Sequence, residues 1–405
     1  MAGNPFNMPL DGVRVLDLTQ ALAGPFATRF LGDLGAEIIK VEQPGVGDPS
    51  RQFGPYFLEG ESTYFLGFNR NKKGVSINLR SEKGRSVFYD LVSISDVIFD
   101  NYRPSVLKRL GLEFEYLRHH NPTVISCSLS GFGHGNAYSE KPAFDGIIQA
   151  MGGGMSVTGE PGRPPMLMGF AVGDLAGGYT AALAIVSALF DRQRSGSGRR
   201  IDISLLDAQI ALQGHLGQFA LTSKQSPQPI GSGQPGNVPV GAFKCADGVY
   251  VQVHCATQRF WENLAIMLSR EVSSLVGLPG DPRFSTPDGR RSHRDILIDM
   301  IRDAFLDKTS TQWLALLFEA DVPSGAVNDL VQAQQDPEVQ ARDMVVEIAH
   351  PIAGVYRAAG NPIKMGQKEV FLPAPTLGQH TAETLMNLLG YSTSAVNQLR
   401  DAGTI

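Results

Sequence analysis

Asp174 is the carboxylate in this sequence that is best placed to do chemistry. It follows Gly173 and precedes a run of apolar and small residues from Leu175 to Phe190. This pattern predicts a helix that begins near Asp174, where free N–H groups and the helix dipole favour an anion. Asp174 is therefore either the cap of this helix or a nucleophile for an activated acyl group. Asp145, in the segment PAFDGII, has the same two interpretations.

Two groups of basic residues are expected at edges of one predicted sheet. Arg70, Lys72 and Lys73 lie in the segment FNRNKKG, and Arg103, Lys108 and Arg109 lie in NYRPSVLKRLG. Ammonium and guanidinium groups are common partners of phosphate. Together the two groups favour a ligand that carries several phosphates, while each group alone fits ordinary solvated surface charge equally well.

Other familiar catalytic and cofactor motifs are absent or lack the required context. The sequence has no G-x-S-x-G, no H-E-x-x-H and no dinucleotide fingerprint in the turn TQALAGP. The segment GSGQPG, from Gly231 through Gly233 to Gly236, matches G-x-G-x-x-G, but Pro239 follows it and no strand leads into it. We interpret it as a linker or a flexible lid. The scattered histidines predict no metal site, and His134 is either a ligand contact after a strand or a loop histidine with a backbone partner.

The elements that must position these residues alternate between strand and helix. Short apolar runs predict four strands, at 13–18, 36–42, 96–101 and 123–131. Helices fill the intervals, and one of them is capped by Ser81. Because strand–helix–strand units form right-handed parallel crossovers, we predict a doubly wound α/β sheet of Rossmann type. Further helices are expected at 144–151 and 174–192.

The composition changes beyond the predicted sheet. The segment KQSPQPIGSGQPGNVPV is rich in Ser, Gln, Pro and Gly, which indicates a domain boundary. GAFKCADGVYVQVHC then predicts a β-hairpin with Asp247–Gly248 as its turn. We predict a large domain over 1–224 and a small α+β domain over 225–335. A C-terminal segment over 336–405, with one short strand and a helix at Thr381–Leu389, is expected to pack back on the first sheet.

Charge and cysteine content restrict the class of protein. The 405 residues include 35 Lys and Arg against 40 Asp and Glu, for a net charge of −5, which excludes a generally basic nucleic-acid binder. The three cysteines, Cys127, Cys245 and Cys255, are too few for a disulfide framework and suit a reducing compartment. The N-terminus shows no secretory signal, and the apolar run from Leu175 is too short to span a bilayer. We expect a cytoplasmic protein that binds neither membranes nor nucleic acids.

Six blocks of sequence, in order along the chain, carry a family resemblance. They are PLDGVRVLDLTQALAGPFATRFLGDLGAEIIKVEQPGVGD, NRNKKGVSINL, DNYRPSVLKRLGL, SLSGFG, PAFDGIIQAMGG and GDLAGGYTAALAIVSAL. Together they resemble the class III CoA-transferases, the family of formyl-CoA transferase and carnitine CoA-transferase, to which α-methylacyl-CoA racemase is related. The resemblance implies a homodimer of two interlocked ring-shaped chains, each with a Rossmann-like large domain and a smaller domain.

The same resemblance assigns roles to individual residues. Asp174 falls at the position of the family's catalytic aspartate, and Gly231, Ser232 and Gly233 fall at that of a mobile glycine loop over the acyl site. Coenzyme A, as a substrate rather than a tightly bound cofactor, would lie on the large domain. Its implied contacts are Leu22, Ala23, Gln43, Lys72, Leu79, Asn101, Tyr102, Arg103, Arg109, Lys141, Ala143 and Asp145.

The implied activity is CoA transfer from an acyl-CoA to a small carboxylic acid, with a dicarboxylic donor such as succinyl-CoA. Asp174 would attack the thioester to form a mixed anhydride, and the released CoA thiolate would then form an aspartyl-CoA thioester. Backbone N–H groups of the glycine-rich segments are candidate partners for the oxyanions.

The sequence departs from two branches of the family. Formyl-CoA transferases would have Gln in place of Leu22 and Arg in place of Gln43, which argues against formyl-CoA and oxalate. The racemases need an acid–base His directly before Asp145, and this chain has Phe144 there. The sequence therefore favours a transferase over a racemase or isomerase of acyl-CoA, which stays as the second hypothesis. A CoA-binding protein without catalysis is the third, and a thioesterase is the fourth.

Overall fold

Short buried strands alternate with helices through the first half of the chain. The computed structural model describes residues 8–366 and 369–405. Residues 1–7, which belong to the segment inspected for a secretory signal, lie outside the described part. The strands are, in chain order, β1 (Arg14–Asp17), β2 (Glu37–Glu42), β3 (Phe57–Leu58), β4 (Glu61–Ser62), β5 (Lys72–Ser76), β6 (Val97–Asp100), β7 (Ile125–Ser130), β8 (Arg200–Ser204), β9 (Val240–Lys244), β10 (Tyr250–His254), β11 (Ser324–Ala326), β12 (Val345–His350) and β13 (Gly354–Ala359).

Six parallel strands form the central sheet in the order β5-β2-β1-β6-β7-β8. The order runs outward in both directions from β1, as in doubly wound folds, so the sheet has a switch point between β1 and β6. The predicted α/β class with a parallel sheet is confirmed. The four strands predicted from apolar runs each agree with the observed strands to within two residues at either end.

Side chains of the central strands alternate between two hydrophobic clusters, one on each face of the sheet. Val15 and Ile38 belong to the cluster that includes residues of the helices over 23–33 and 172–195. Their neighbours Leu16 and Ile39 belong to the cluster on the other face. Both faces are covered, which explains why these strands are continuous apolar runs rather than alternating ones.

The helices follow the predicted spacing where apolar residues recur at helical intervals. Ser81 caps its helix as predicted, since its Oγ accepts the Gly84 N–H at 3.0 Å. The helices are α1 (Ala23–Asp33), α2 (Thr63–Phe68), α3 (Glu82–Ser93), α4 (Pro104–Leu110), α5 (Phe114–His120), α6 (Asp145–Met151), α7 (Gly154–Val157), α8 (Val172–Ser195), α9 (Leu205–Ala211), α10 (Gly214–Ser223), α11 (Gln258–Glu271), α12 (Pro287–Ser292), α13 (Arg294–Phe305), α14 (Ser310–Glu319), α15 (Leu330–Gln335), α16 (Pro337–Ala341), α17 (Thr381–Leu389) and α18 (Thr393–Asp401).

Two glycines of helix α8 allow it to pack closely against the starts of α1 and α9. A Cβ on Gly178 would lie 2.7 Å from the Ala23 carbonyl oxygen, and a Cβ on Gly177 would lie 2.4 Å from a methyl of Leu205. The opposite side of α8 exposes Leu183 and other apolar residues, so the helix is half-buried rather than buried as predicted. Within the described residues it is the one helix long and apolar enough to cross a membrane, a test that core helices also pass.

The chain divides into two units. The first contains the chain up to Gly154, Met168–Gly214 and Pro337–Ile405, and the second contains Met155–Leu167 and His215–Asp336. The second unit thus resumes at His215, ten residues before the predicted boundary at 225, and includes Met155–Leu167, which the sequence predicts to lie in the large domain. The segment Met155–Leu167 joins the second unit because it contacts the glycine loop there: the Gly231 N–H donates to the Gly159 carbonyl oxygen at 2.9 Å.

The second unit is built on the three-stranded antiparallel sheet β11-β10-β9. Its β9–β10 hairpin is the predicted one, with Gly248 at a φ of +83° in the turn, a conformation that favours glycine. In the first unit, the C-terminal segment forms two strands, β12 and β13, where we predicted one. Helix α17 has the predicted bounds, and its Leu385 joins the hydrophobic cluster of Leu16.

Candidate active site

A cavity of about 400 Å³ lies at the carboxyl ends of the central strands. One part of its lining is the turn Gln20–Ala23, which follows β1, and another is Asn101–Arg103, which follows β6. These two strands meet at the switch point of the sheet, where open α/β sheets place their ligands. Asp174 belongs to the same lining. The remaining lining residues are Pro49, Phe53, Leu129, Ser130, Gly131, Ser139, Lys141, Pro142, Ala143, Phe144 and Leu205.

The cavity brings together most of the residues expected to contact CoA. Those in the lining are Leu22, Ala23, Asn101, Tyr102, Arg103, Lys141 and Ala143. Gln43 and Arg109 are exposed outside it, and Leu79 is buried in the hydrophobic cluster of β5 and α3. The cavity therefore collects the expected contacts that follow β1, β6 and β7, while Gln43 after β2, Leu79 after β5 and Arg109 on α4 lie outside its lining.

The ammonium group of Lys72 is buried and not accessible to a phosphate of a ligand. This ammonium donates to Asp17 Oδ2 at 3.0 Å, Asn69 Oδ1 at 3.0 Å and the Pro25 carbonyl oxygen at 3.1 Å. Burial lowers the pKa of Lys72 to about 8, although the Asp17 carboxylate acts in the opposite direction. All three of its N–H donors are used inside the protein. The structure therefore does not support the predicted contact between Lys72 and CoA.

Asp145, rather than Asp174, caps helix α8. Asp145 Oδ1 accepts the Gly173 N–H at 2.7 Å and the Asp174 N–H at 3.2 Å, while its Oδ2 accepts Gln149 Nε2 at 2.6 Å. A Cβ on Gly173 would lie 3.0 Å from Asp145 Oδ1, so a glycine permits this close approach. Within the described residues the Asp174 carboxylate accepts no hydrogen bond. The interpretation of Asp174 as the cap of its helix is therefore wrong. Asp145 does not cap its own helix α6 either, because it accepts the N–H groups at the start of α8 instead.

The surroundings of Asp174 disfavour its negative charge. Burial raises the pKa of Asp174, and the nearby Asp145 carboxylate raises it further, to about 7. A carboxylate that faces a cavity, with no donor on its oxygen lone pairs, keeps those lone pairs available for attack on an electrophile. A strongly perturbed pKa in a cleft is also typical of functional groups.

The raised pKa of Asp174 predicts that the variant D174N is more stable than the wild type at alkaline pH. Above pH 7 the folded protein holds a charge that the unfolded chain would solvate, whereas near pH 4 the carboxyl is neutral in the folded state and about half neutral in the unfolded one. We expect the melting temperature of D174N to exceed that of the wild type by about 2–4 °C at pH 8.5. The difference should shrink as the pH is lowered through 7 toward 4.

Differential scanning calorimetry over this pH range measures the effect. D401N is the matched control, because Asp401 is exposed at the end of α18, and it should melt with the wild type throughout. A difference between D174N and the wild type that is the same at every pH would contradict the assignment of the effect to ionisation of Asp174.

Tyr64 borders the site, and the sequence analysis missed it. It lies on α2, and burial, followed by the charges of Asp174, Asp48 and Asp145, raises its pKa to about 12. The phenol therefore stays neutral. Its ring packs against Phe53 of the cavity lining, with ring centroids 5.3 Å apart. In the sequence STYFLGF nothing separates this tyrosine from an ordinary core aromatic.

Three further lining residues were detectable but not singled out. Gln20, Ser130 and Gly131 line the cavity and lie at or just beyond the carboxyl ends of β1 and β7. Both strands were predicted, so a scan of polar and glycine residues after each strand would have found them.

His134 lies outside the cavity lining. Its Nδ1 contacts Arg200 Nη2 at 2.6 Å, and its backbone N–H donates to Asp202 Oδ2 at 3.0 Å. This arrangement favours the loop histidine over the ligand contact. Over the described residues, no cluster of three His, Cys, Asp or Glu side chains could hold a metal ion, and the three cysteines are buried and free.

The predicted glycine loop belongs to the second unit and is bonded there to its neighbours. Gly231 has a φ of +62°, and the Ser232 Oγ accepts the Ala242 N–H at 2.8 Å. Arg294 Nη1 donates to the Gln234 carbonyl oxygen at 3.0 Å. The segment has no strand before it and no helix after it, which excludes a dinucleotide-binding turn here.

Known proteins match this chain over nearly its whole length. The family described as CoA-transferase family III matches residues 10–381. The chain is 35% identical over 399 residues to the succinyl-CoA:glutarate CoA-transferase of Homo sapiens, covering 98% of this chain and 90% of that protein. It is 36% identical over 358 residues to the acetyl-CoA:oxalate CoA-transferase of Acetobacter aceti, covering 88% and 89%.

The comparison of structures indicates the same family as the comparison of sequences. A CAIB/BAIF family protein from Brucella suis superposes with a TM-score of 0.83 at 33% identity, over 94% of this chain and 100% of that one. The family match, the similar sequences and the similar structure all indicate the same family, and an acyl-transfer enzyme of this kind is compatible with an unpaired aspartate in the switch-point cavity. The chain belongs to CoA-transferase family III and is an enzyme of that class.

Proposed function

We propose that this CoA-transferase moves CoA between two small dicarboxylic acids, with Asp174 as the covalent carrier. The observation that carries the proposal is the Asp174 carboxylate, which faces the switch-point cavity without a hydrogen-bond donor from the described residues. The named relatives act on glutarate and on oxalate, which supports a dicarboxylic substrate here.

The reaction needs four exchanges at acyl carbons, and each one conserves a high-energy acyl bond. An Asp174 oxygen attacks the donor thioester carbonyl, the C–S bond breaks, and CoA leaves as a thiolate. The thiolate attacks the Asp174 carboxyl carbon of the resulting anhydride and expels the donor acid, which gives an aspartyl-CoA thioester. The acceptor carboxylate then attacks this thioester, and the thiolate returns to the acceptor acyl carbon and restores Asp174.

For CoA itself, we propose that the acyl-bearing end occupies the cavity. The lining side chains Arg103 and Lys141 supply positive charge, and among the described residues neither is in an ion pair. Gln43, Leu79 and Arg109 stay proposed contacts outside the cavity, where the nucleotide end of CoA would extend. CoA enters and leaves as a substrate in this scheme, and no tightly held cofactor is proposed.

A homodimer is proposed from the exposed apolar surface of the first unit. Phe144, Leu183 and Phe190 are 75%, 69% and 61% exposed, and all lie on or beside α6 and α8. An apolar surface of this kind in a soluble enzyme marks a protein interface. The family resemblance supports the interlocked arrangement of a large and a smaller domain. The composition change near 225 supports a large domain over 1–224, a small domain over 225–335 and a returning segment over 336–405, although the compact units divide at His215 and Pro337. The low cysteine content supports a cytoplasmic location. The family resemblance also supports the role of Gly231–Gly233 as a loop over the acyl group.

The test is to trap the covalent intermediate. The protein is incubated with succinyl-CoA, glutaryl-CoA and oxalyl-CoA, quenched with hydroxylamine or borohydride, and digested for mass spectrometry. We expect modification of the peptide that contains Asp174 and no such modification in D174A. If no adduct forms while the α-hydrogen of an acyl-CoA exchanges with solvent, the isomerase alternative is correct. Steady release of CoA without any acceptor acid would indicate a thioesterase.

A further inference from the structure

A buried ion pair lies beneath the turn that forms one wall of the cavity. Lys40 of β2 and Asp48 are joined by a 2.9 Å contact, and their side chains are 1% and 0% exposed. Lys40 Nζ also donates to the Thr19 carbonyl oxygen at 2.8 Å, and Asp48 Oδ1 accepts the Ala21 N–H at 3.2 Å. The pair thus contacts the backbone of the turn at two residues.

The turn that this pair contacts has a strained backbone. Ala21 has a φ of +63°, a left-handed conformation that is unfavourable for a residue with a Cβ. The side chain of Asn101 fixes the preceding residue, because it accepts the Gln20 N–H at 3.0 Å and donates to the Gln20 carbonyl oxygen at 2.8 Å. Such a conformation persists only where its surroundings fix it from several sides.

The fixed turn leads directly into the site. Gln20 and Ala21 of the turn line the cavity, as do Leu22 and Ala23 after it, whereas Lys40 and Asp48 do not belong to the lining. A buried ion pair is a weak source of stability, because apolar residues of similar volume are often as stable. Its directional bonds to Thr19 and Ala21 do what apolar residues could not, which is to select one backbone conformation.

We propose that Lys40 and Asp48 are positioning residues for CoA, which act through the Thr19–Ala21 turn on the cavity wall formed by Leu22 and Ala23. The inference rests on the proposed location of CoA in this cavity. It adds that the affinity for CoA depends on a charge pair that does not touch the ligand.

The experiment compares two buried ion pairs of the same unit. In K40M/D48L, apolar side chains replace the pair under the turn. In R70M/D33L they replace the Arg70–Asp33 pair, which is fully buried as well and contacts Asn71 and the Ala359 carbonyl oxygen instead of the cavity. Isothermal titration calorimetry with CoA should give a dissociation constant at least tenfold higher in K40M/D48L, and within twofold of the wild type in R70M/D33L.

A milder variant covers the case in which the double variant does not fold. In D48N, the amide oxygen can still accept the Ala21 N–H, but the amide NH₂ opposes the Lys40 ammonium. We expect about threefold weaker CoA binding and faster amide hydrogen exchange in the peptide over 17–24. Unchanged exchange and affinity in D48N would overturn the inference.

Other outcomes of the main comparison are equally decisive. Equal losses of affinity in both double variants would overturn the inference, because any buried pair would then have the same effect. Wild-type affinity in K40M/D48L would do the same. A wild-type protein that binds no CoA would overturn the proposed function itself, and the two failures are therefore distinguishable.

Discussion

Replacement of Asp174 by Ala is expected to lower kcat/KM for CoA transfer by at least about 10⁴-fold while CoA still binds. In the proposed mechanism the variant loses the atom that forms the anhydride and the aspartyl thioester, and among the described residues the cavity lining offers no second carboxylate. In the proposed binding mode CoA is held by the walls Gln20–Ala23 and Asn101–Arg103, which the substitution leaves intact. Steady-state transfer between succinyl-CoA and glutarate, with a calorimetric measurement of CoA affinity, tests both parts.

Two further variants make this result specific. D174E keeps the carboxylate but displaces it by one methylene, and a loss of about 10²-fold or more is expected from the altered geometry. D191N changes an aspartate at the other end of the same helix, where Asp191 pairs with Arg199, and should retain activity within twofold. Substantial transfer by D174A would exclude the covalent route.

Replacement of Asp145 by Asn is expected to shift the pH dependence of transfer toward acid. In the wild type, kcat/KM should rise with pH around a midpoint near 7, because only ionised Asp174 attacks the thioester. The Asn oxygen can still accept the N–H groups of Gly173 and Asp174, so the start of α8 is retained without the negative charge. Loss of that charge lowers the pKa of Asp174, and the midpoint should move down by about one pH unit.

The shift should be incomplete, because burial is the larger cause of the raised pKa of Asp174 and persists in the variant. Initial rates at subsaturating acyl-CoA between pH 5 and 9 give the midpoint. D191N again provides the control on the same helix and should keep the wild-type profile. A midpoint that stays in place or moves to higher pH would show that Asp145 does not control the ionisation of Asp174.

The strands and the main helices could be predicted because their signals are local. Central strands such as Val97–Asp100 are short apolar runs, and α17 is a periodic segment between clear start and stop residues. The segment Met155–Leu167 could not be assigned from its sequence, because what places it in the second unit is a contact with the distant glycine loop. The second C-terminal strand, β13, was missed because its alternation is short and largely exposed.

For the site, residue type was predictable but side-chain direction was not. Asp174 was identified from its Gly-rich context, whereas the distinction between nucleophile and cap required the contacts of Asp145. Lys72 and Lys73 are adjacent and chemically alike, yet on a strand they point to opposite sides, and only Lys72 is enclosed by three acceptors. Tyr64 was not singled out, because its packing on Phe53 and the carboxylates that raise its pKa are brought to it by the fold.

The contact at Gly178 relates helix packing to the width of the cavity. Gly178 lies about one helical turn after Asp174 and contacts the backbone of Ala23, which belongs to the opposite cavity wall. The distance between Asp174 and that wall is therefore set by a position that has no side chain. Any larger residue there would act as a spacer that moves the proposed nucleophile away from the proposed substrate position, so this glycine would be under a constraint of reach as well as of packing.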